Sequence, residues 1–163
     1  MRLEELKPRF WKPPGEETFA PLTRADVERA EAELGVRLPA AYVELLEVQN
    51  GGYVAREFDA FPTEAPTSWA EDHVWVRTLA GIGPSAHAMS LTADPSAWGL
   101  PPGTVPFSGD GHYAIALDYR DGRTEPAVGW LDTEAGQDLA LAPDFLTFVE
   151  ALVPIEDFDV PGG

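Results

Sequence analysis

The chain has no cysteine, which excludes disulfides, thiolate catalysis and every zinc site that needs a thiolate ligand. It has three histidines, His73, His87 and His112, and no two stand four residues apart. That excludes the helical zinc motif and leaves only a site assembled from distant segments. No apolar run approaches the roughly 20 residues that span a bilayer, and the opening "MRLEELKPRFWKPPGEE" has no signal-like apolar core. The expectation is a cytoplasmic protein. Positive charge is also scarce. Eleven bases face 28 acids, for a formal net charge of −17, and both lysines fall in the first 13 residues. Residues 14 to 163 carry seven bases against 26 acids, a net of −19. Such a surface repels nucleic acid and anionic membranes and attracts cations or a basic protein.

What remains is ordinary for a globular chain: 163 residues, 44% hydrophobic and 24% charged, enough for one core and one domain. Residues 12–17, "KPPGEE", form a Pro/Gly linker that cannot be helical. In "LTRADVERAEAELG", Thr23 and Asp26 have the spacing of a capping pair, Leu22 can staple to Val27, and Gly35 ends the helix. A second helix follows at once. Pro39 suits its first position, Tyr42, Leu45 and Leu46 form an apolar stripe, and Asn50 and Gly51 tolerate a left-handed stop. Residues 52–72 show no clean periodicity and read as irregular and partly exposed.

"HVWVRTLAGIG" has strand composition, "AMSLTAD" reads as a second short strand, and "TVPFS", "HYAIALDYR" and "AVGWLD" make three more, separated by "GDG" and "DGRTEP" turns. Strands joined this way form an antiparallel meander. The closing helix in "APDFLTFVEALV" starts near Pro143 and presents Phe145, Phe148, Val149 and Leu152 on one stripe. The acidic tail from residue 154 is expected to be loose beyond Phe158.

No catalytic constellation emerges. "GDGHY" and "DYRDG" lack the alternating ligands and closing glutamate of a calcium loop, and the "GDG" glycines open no helix that would receive a phosphate. Ser85 and Ser90 bracket His87, but "GPSAHAMS" is no nucleophile elbow. Paired acids are too abundant to mark a site. The segment that rises above background is 53–75, where Tyr53, Phe58, Phe61, Trp69 and Trp75 alternate with Glu57, Asp59, Glu64, Glu71 and Asp72. One reading is a hot spot for a basic partner, with rings supplying contact area and acids steering the encounter. The other places the rings in the core and leaves the acids to solvate a loop.

The run Gly35-Val36-Arg37-Leu38-Pro39, then Tyr42, then Asn50-Gly51-Gly52, resembles the SUKH superfamily of cell-wall-synthesis-regulator-like and immunity proteins. In that family an acidic helix runs into "GxxLP", an aromatic-bearing helix follows and "NGG" stops it. "VPFSGDGHYAIALDYRDGRTEPAVGWLD" and "LAPDFLTFVEAL" resemble its strand region and last helix, so the likeness spans about residues 20–153. The basic opening segment, residues 1–18, has no counterpart.

The resemblance implies an α+β domain: an antiparallel sheet of about five or six strands packed by two N-terminal helices and one C-terminal helix. It implies protein binding without cofactor, metal or catalysis. The leading expectation is an immunity protein that occludes a basic bacterial toxin, a nuclease being a fitting target, through Glu57, Asp59, Phe61, Trp69, Glu71 and Asp72. The alternatives are a housekeeping regulator of wall synthesis and a small metal-dependent hydrolase using His73 or His112.

Overall fold

The computed structural model describes residues 1–13, 21–83, 90–91, 95–109 and 112–158. The serine and histidine of "PSAH", most of the strand expected in "AMSLTAD", the greater part of the 12–17 linker and the tail beyond Phe158 lie outside the described residues.

A short helix, α1 (Leu3–Leu6), opens the chain. The expected capping pair starts α2 (Arg24–Leu34): the Thr23 hydroxyl accepts from the Asp26 N–H at 3.1 Å, and the Asp26 carboxylate accepts from the Thr23 N–H at 3.0 Å. Gly35 ends it at φ +71°, the left-handed region that favours glycine. The Glu31 carboxylate then reaches across the corner to accept from the Leu38 N–H at 2.7 Å. Helix α3 (Ala40–Val48) begins one residue later than the sequence suggests, with Pro39 flanking it rather than inside its first turn. Its stripe behaves as expected: Tyr42, Leu45 and Leu46 are all fully buried.

The region expected to be irregular holds two short strands, β1 (Gly52–Tyr53) and β2 (Ala60–Pro62). The single strand expected after it breaks into β3 (His73–Trp75) and β4 (Thr78–Leu79). The break has a physical cause, because β3 pairs with β2 and β4 with β1, so the chain changes partner across Val76 and Arg77.

The main sheet comprises β5 (Thr104–Gly109), β6 (Ala114–Asp118), β7 (Ala127–Asp132) and β8 (Gln137–Ala142), antiparallel in that order. The α+β class is therefore as expected, while the strands divide into this four-stranded sheet and two two-stranded ladders. One face of the sheet supplies Val105, Phe107, Ile115, Leu117, Val128 and Trp130 to the main core. On the other face Leu100 and Trp98 cover Ala114, Ala116 and Leu131.

Helix α4 (Phe145–Glu150) starts at Asp144 rather than at Pro143, because the Asp144 carboxylate can satisfy a free first-turn donor, the Thr147 N–H, at 2.7 Å. Its Phe145 packs against Tyr42 at 4.9 Å and Phe107 at 5.7 Å between ring centres, which ties α3, α4 and the sheet together. The opening segment joins this core: Leu3, Leu6 and Phe10 are buried, each such side chain stabilising by about 1.5–3 kcal/mol. The Trp11 indole N–H donates to the Leu45 carbonyl at 3.0 Å.

Candidate protein-binding surface

Trp75 and Arg77 flank the fully buried Val76 and lie on the same side of the chain. The Arg77 guanidinium carbon lies 5.4 Å from the centre of the Trp75 ring and 5.5 Å from that of Tyr53. Trp69 stacks on Trp75 at 6.1 Å and meets the His73 ring edge-on at 5.3 Å. Contacts therefore run continuously from Tyr53 through Arg77 and Trp75 to Trp69. Tyr53 is 45% exposed and Trp69 40%, among the largest exposures of any big apolar side chain described.

The loop bearing Trp69 is fastened at several points. The Thr67 hydroxyl accepts from the N–H groups of Trp69 and Ala70, at 3.2 and 3.1 Å. Ser68 donates its hydroxyl to Asp132 at 2.5 Å and its N–H to the Gln137 side chain at 2.6 Å, linking the loop to the β7–β8 turn. The Ser68 hydroxyl, together with backbone N–H groups, holds the Asp132 carboxyl below the usual range. Trp69 is thus presented on a pinned loop, which lowers the entropy lost when a partner covers it.

Glu64, Glu71 and Asp72 are exposed around this loop, and Asp72 also bonds the His73 ring at 2.8 Å. Glu57 is exposed and paired with Arg9. Asp59 and Phe61 are each only 7% exposed, and of the two only Asp59 reaches the surface groove beside the aromatic row. The Asp59 carboxylate accepts from the Ile155 N–H at 2.8 Å, and Phe61 stacks on Phe148 of α4 at 5.0 Å. The two readings of this segment thus divide by residue. Phe58 and Phe61 face the core, Tyr53 and Trp69 face solvent, and Trp75 lies between.

Beside the aromatic row lies an open groove of about 440 Å³ bordered by the cations Lys12 and Arg56, the acids Asp59 and Glu156, and Trp69, Trp75 and Ile155. Sequence reasoning passed over Arg77, Lys12 and Arg56. The alternation in "WVR" could have flagged Arg77; the approach of Lys12, whose N–H donates to the Tyr53 carbonyl at 2.9 Å, depends on tertiary structure. His112 lies on the surface 3.8 Å from Glu134, and the His73 ring stacks on Phe158 at 4.3 Å. Among the described residues no group of three histidines and carboxylates could hold a metal ion. No helix among them is long and apolar enough to cross a membrane.

Three of the motif residues, Tyr42, Asn50 and Gly51, converge elsewhere, on residues 80–82. The Tyr42 hydroxyl donates to the Ala80 carbonyl at 2.5 Å, and the Asn50 side-chain amide pairs with both backbone groups of Ile82. Gly51 and Gly81 let the two backbones touch: a Cβ on Gly81 would fall 2.3 Å from the Asn50 carbonyl oxygen, and one on Gly51 2.8 Å from the Gly81 nitrogen. Asn50 is thus more than a residue that tolerates a left-handed stop, and the positive φ of +95° belongs to Gly51. Across the sheet, the Tyr119 hydroxyl donates to the Arg37 carbonyl within "GVRLP" at 2.6 Å.

Residues 21–151 match the model of the SMI1 / KNR4 family (SUKH-1). The chain belongs to this family. No curated protein and no solved structure gives a significant match. The SUKH-1 span takes in the corner, the aromatic row, the sheet and α4, and it leaves out the opening segment that supplies Phe10, Trp11 and Lys12.

Proposed function

We propose that this SUKH-1 chain is a non-catalytic protein-binding module, acting as one SUKH-like domain in the cytoplasm, and that it neutralises a cognate bacterial toxin by covering a basic domain of that toxin. The observation that carries this reading is Trp69, 40% exposed on a pinned loop whose segment also carries the exposed Glu64, Glu71 and Asp72, in a chain of net charge −17. An exposed tryptophan supplies the kind of anchor that dominates binding energy. Clustered carboxylates raise the encounter rate with a cation. A toxin whose own substrate is a polyanion, such as a nuclease, presents the complementary charge. The membership in SUKH-1 agrees with binding as the family's general role.

The test is to identify whether a toxin is encoded beside this chain's reading frame and to measure association of the chain with that toxin domain at several salt concentrations together with the toxin's activity. Tight, salt-weakened binding that blocks the activity is the expected result. Binding to an endogenous wall-synthesis protein, with no toxin inhibited, would move the chain to the housekeeping regulators instead.

A further inference from the structure

Lys7, Arg9, Arg24, Arg29 and Arg120 each lie within salt-bridge reach of a carboxylate. The other six bases, Arg2, Lys12, Arg37, Arg56, Arg77 and Arg123, form no ion pair among the described residues, and three of these, Arg77, Lys12 and Arg56, lie along the aromatic row and its groove. Arg77 is exposed and lies over two rings. Such stacking attracts the guanidinium through its face, restricts its rotamers and leaves the N–H fork as the group still to be satisfied. The natural complement of that fork is a planar carboxylate bound by two parallel hydrogen bonds.

We infer that Arg77, assisted by Lys12 and Arg56, is a receptor for a glutamate or aspartate side chain on a protein partner, with an apolar neighbour of that acid seated in the groove against Trp69 and Trp75. This rests on the reading of the chain as a protein-binding module and adds to it a chemical requirement on the partner. A carboxylate fits better than a phosphate chain because each added negative charge meets the repulsion of a −17 molecule, whereas one acid next to Arg77 is governed by contacts inside the screening length of about 8 Å. The resulting interface carries two signs. Outer acids such as Glu64 and Glu71 draw in a basic surface, and Arg77 then admits a partner that places one acid at the centre of it. A cognate partner is thereby separated from basic proteins at large, which satisfy the first condition and not the second.

The experiment is an NMR titration of the 163-residue chain at about 0.15 M salt, following the Arg77 Nε–H and the Trp69 indole N–H. The probes are a capped pentapeptide with a central glutamate between two leucines, its glutamine twin, and a short oligothymidylate. The glutamate peptide should shift both signals, and its twin should bind at least about tenfold more weakly. Arg77→Lys, which keeps the charge and loses the fork, should weaken the glutamate peptide about fivefold or more while the rest of the spectrum stays native. Equal binding of the two peptides, unchanged affinity in Arg77→Lys, no shift with the glutamate peptide, or preference for the oligonucleotide would each overturn the inference. If the chain still binds a basic toxin domain in that event, the protein-binding reading stands without the carboxylate receptor; if neither probe nor toxin binds, both fall.

Discussion

The side-chain amide of Asn50 donates to the Ile82 carbonyl and accepts from the Ile82 N–H, both at 2.8 Å, so one side chain pairs with a backbone as a neighbouring strand would. Asn50 is 8% exposed, and water offers little replacement. Asn50→Ala leaves a buried donor and a buried acceptor unpaired and should destabilise the fold by about 2–4 kcal/mol. Asn50→Asp keeps the acceptor and sets a carboxylate against the Ile82 carbonyl, so it should be destabilising at neutral pH and less so in acid. Urea unfolding of both variants checks this; an Asn50→Ala variant as stable as the parent would show that the pairing contributes nothing.

The glycines of the same junction divide by what a side chain would meet. A Cβ on Gly81 collides with the Asn50 backbone, which cannot move without separating α3 from residues 80–82. A Cβ on Gly35 meets nothing within 4 Å, and only the φ of +71° opposes it. Gly81→Ala should therefore cost about 3 kcal/mol or more, and Gly35→Ala about 1 kcal/mol. Thermal melts of the two variants would expose the reverse order at once.

Tyr42 links stability to alkaline pH. Burial pushes its phenol well above the ordinary value, with Tyr119 adding a smaller effect in the same direction. The folded value is the higher one, so the stabilisation is complete below the unfolded pKa of about 10 and is lost as pH rises past it, by up to about 1.4 kcal/mol per pH unit. Tyr42→Phe removes this titration. It should cost about 1 kcal/mol at pH 7, where the Ala80 carbonyl loses its donor. Above pH 10 the variant should lose stability less steeply than the parent, with the remaining slope coming partly from Tyr119, also raised by burial. Parallel stability curves from pH 8 to 11 would contradict this.

The α2–α3 corner was legible because its signals are local: a capping pair, a glycine stop and a stripe of three apolar residues all fall within about one helical length of each other. Strand β8 was not, since "QDLALA" has no β-branched or aromatic residue and is held by five pairings to β7. The break between β3 and β4 was hidden for a related reason, as it records a change of partner rather than any feature of "VWVRT". For the surface, composition located the right segment but could not sort it. Phe61 and Trp69 look alike as aromatic residues, and only the position of α4 buries the first while the Ser68–Asp132 contact presents the second.

That sorting gives the last prediction. Phe61→Ala removes a buried ring stacked on Phe148 and should destabilise by about 3–5 kcal/mol, while any molecules that remain folded keep their partner affinity. Trp69→Ala removes a ring that is 40% exposed, so the loss of stability should be near 1 kcal/mol, and the loss of binding energy about 2 kcal/mol or more. Glu64→Lys with Glu71→Lys acts on a different step. Both acids are exposed, and Asp72 is left in place because it bonds His73. Reversing the two charges should slow association about tenfold at low salt and change it little at high salt, with the dissociation rate barely altered. Stopped-flow association over a salt series, read beside melting curves, separates the three outcomes. If Trp69→Ala and the charge reversal both left association intact, the contact surface would lie away from this loop, because neither of its two sources of binding energy would have been used.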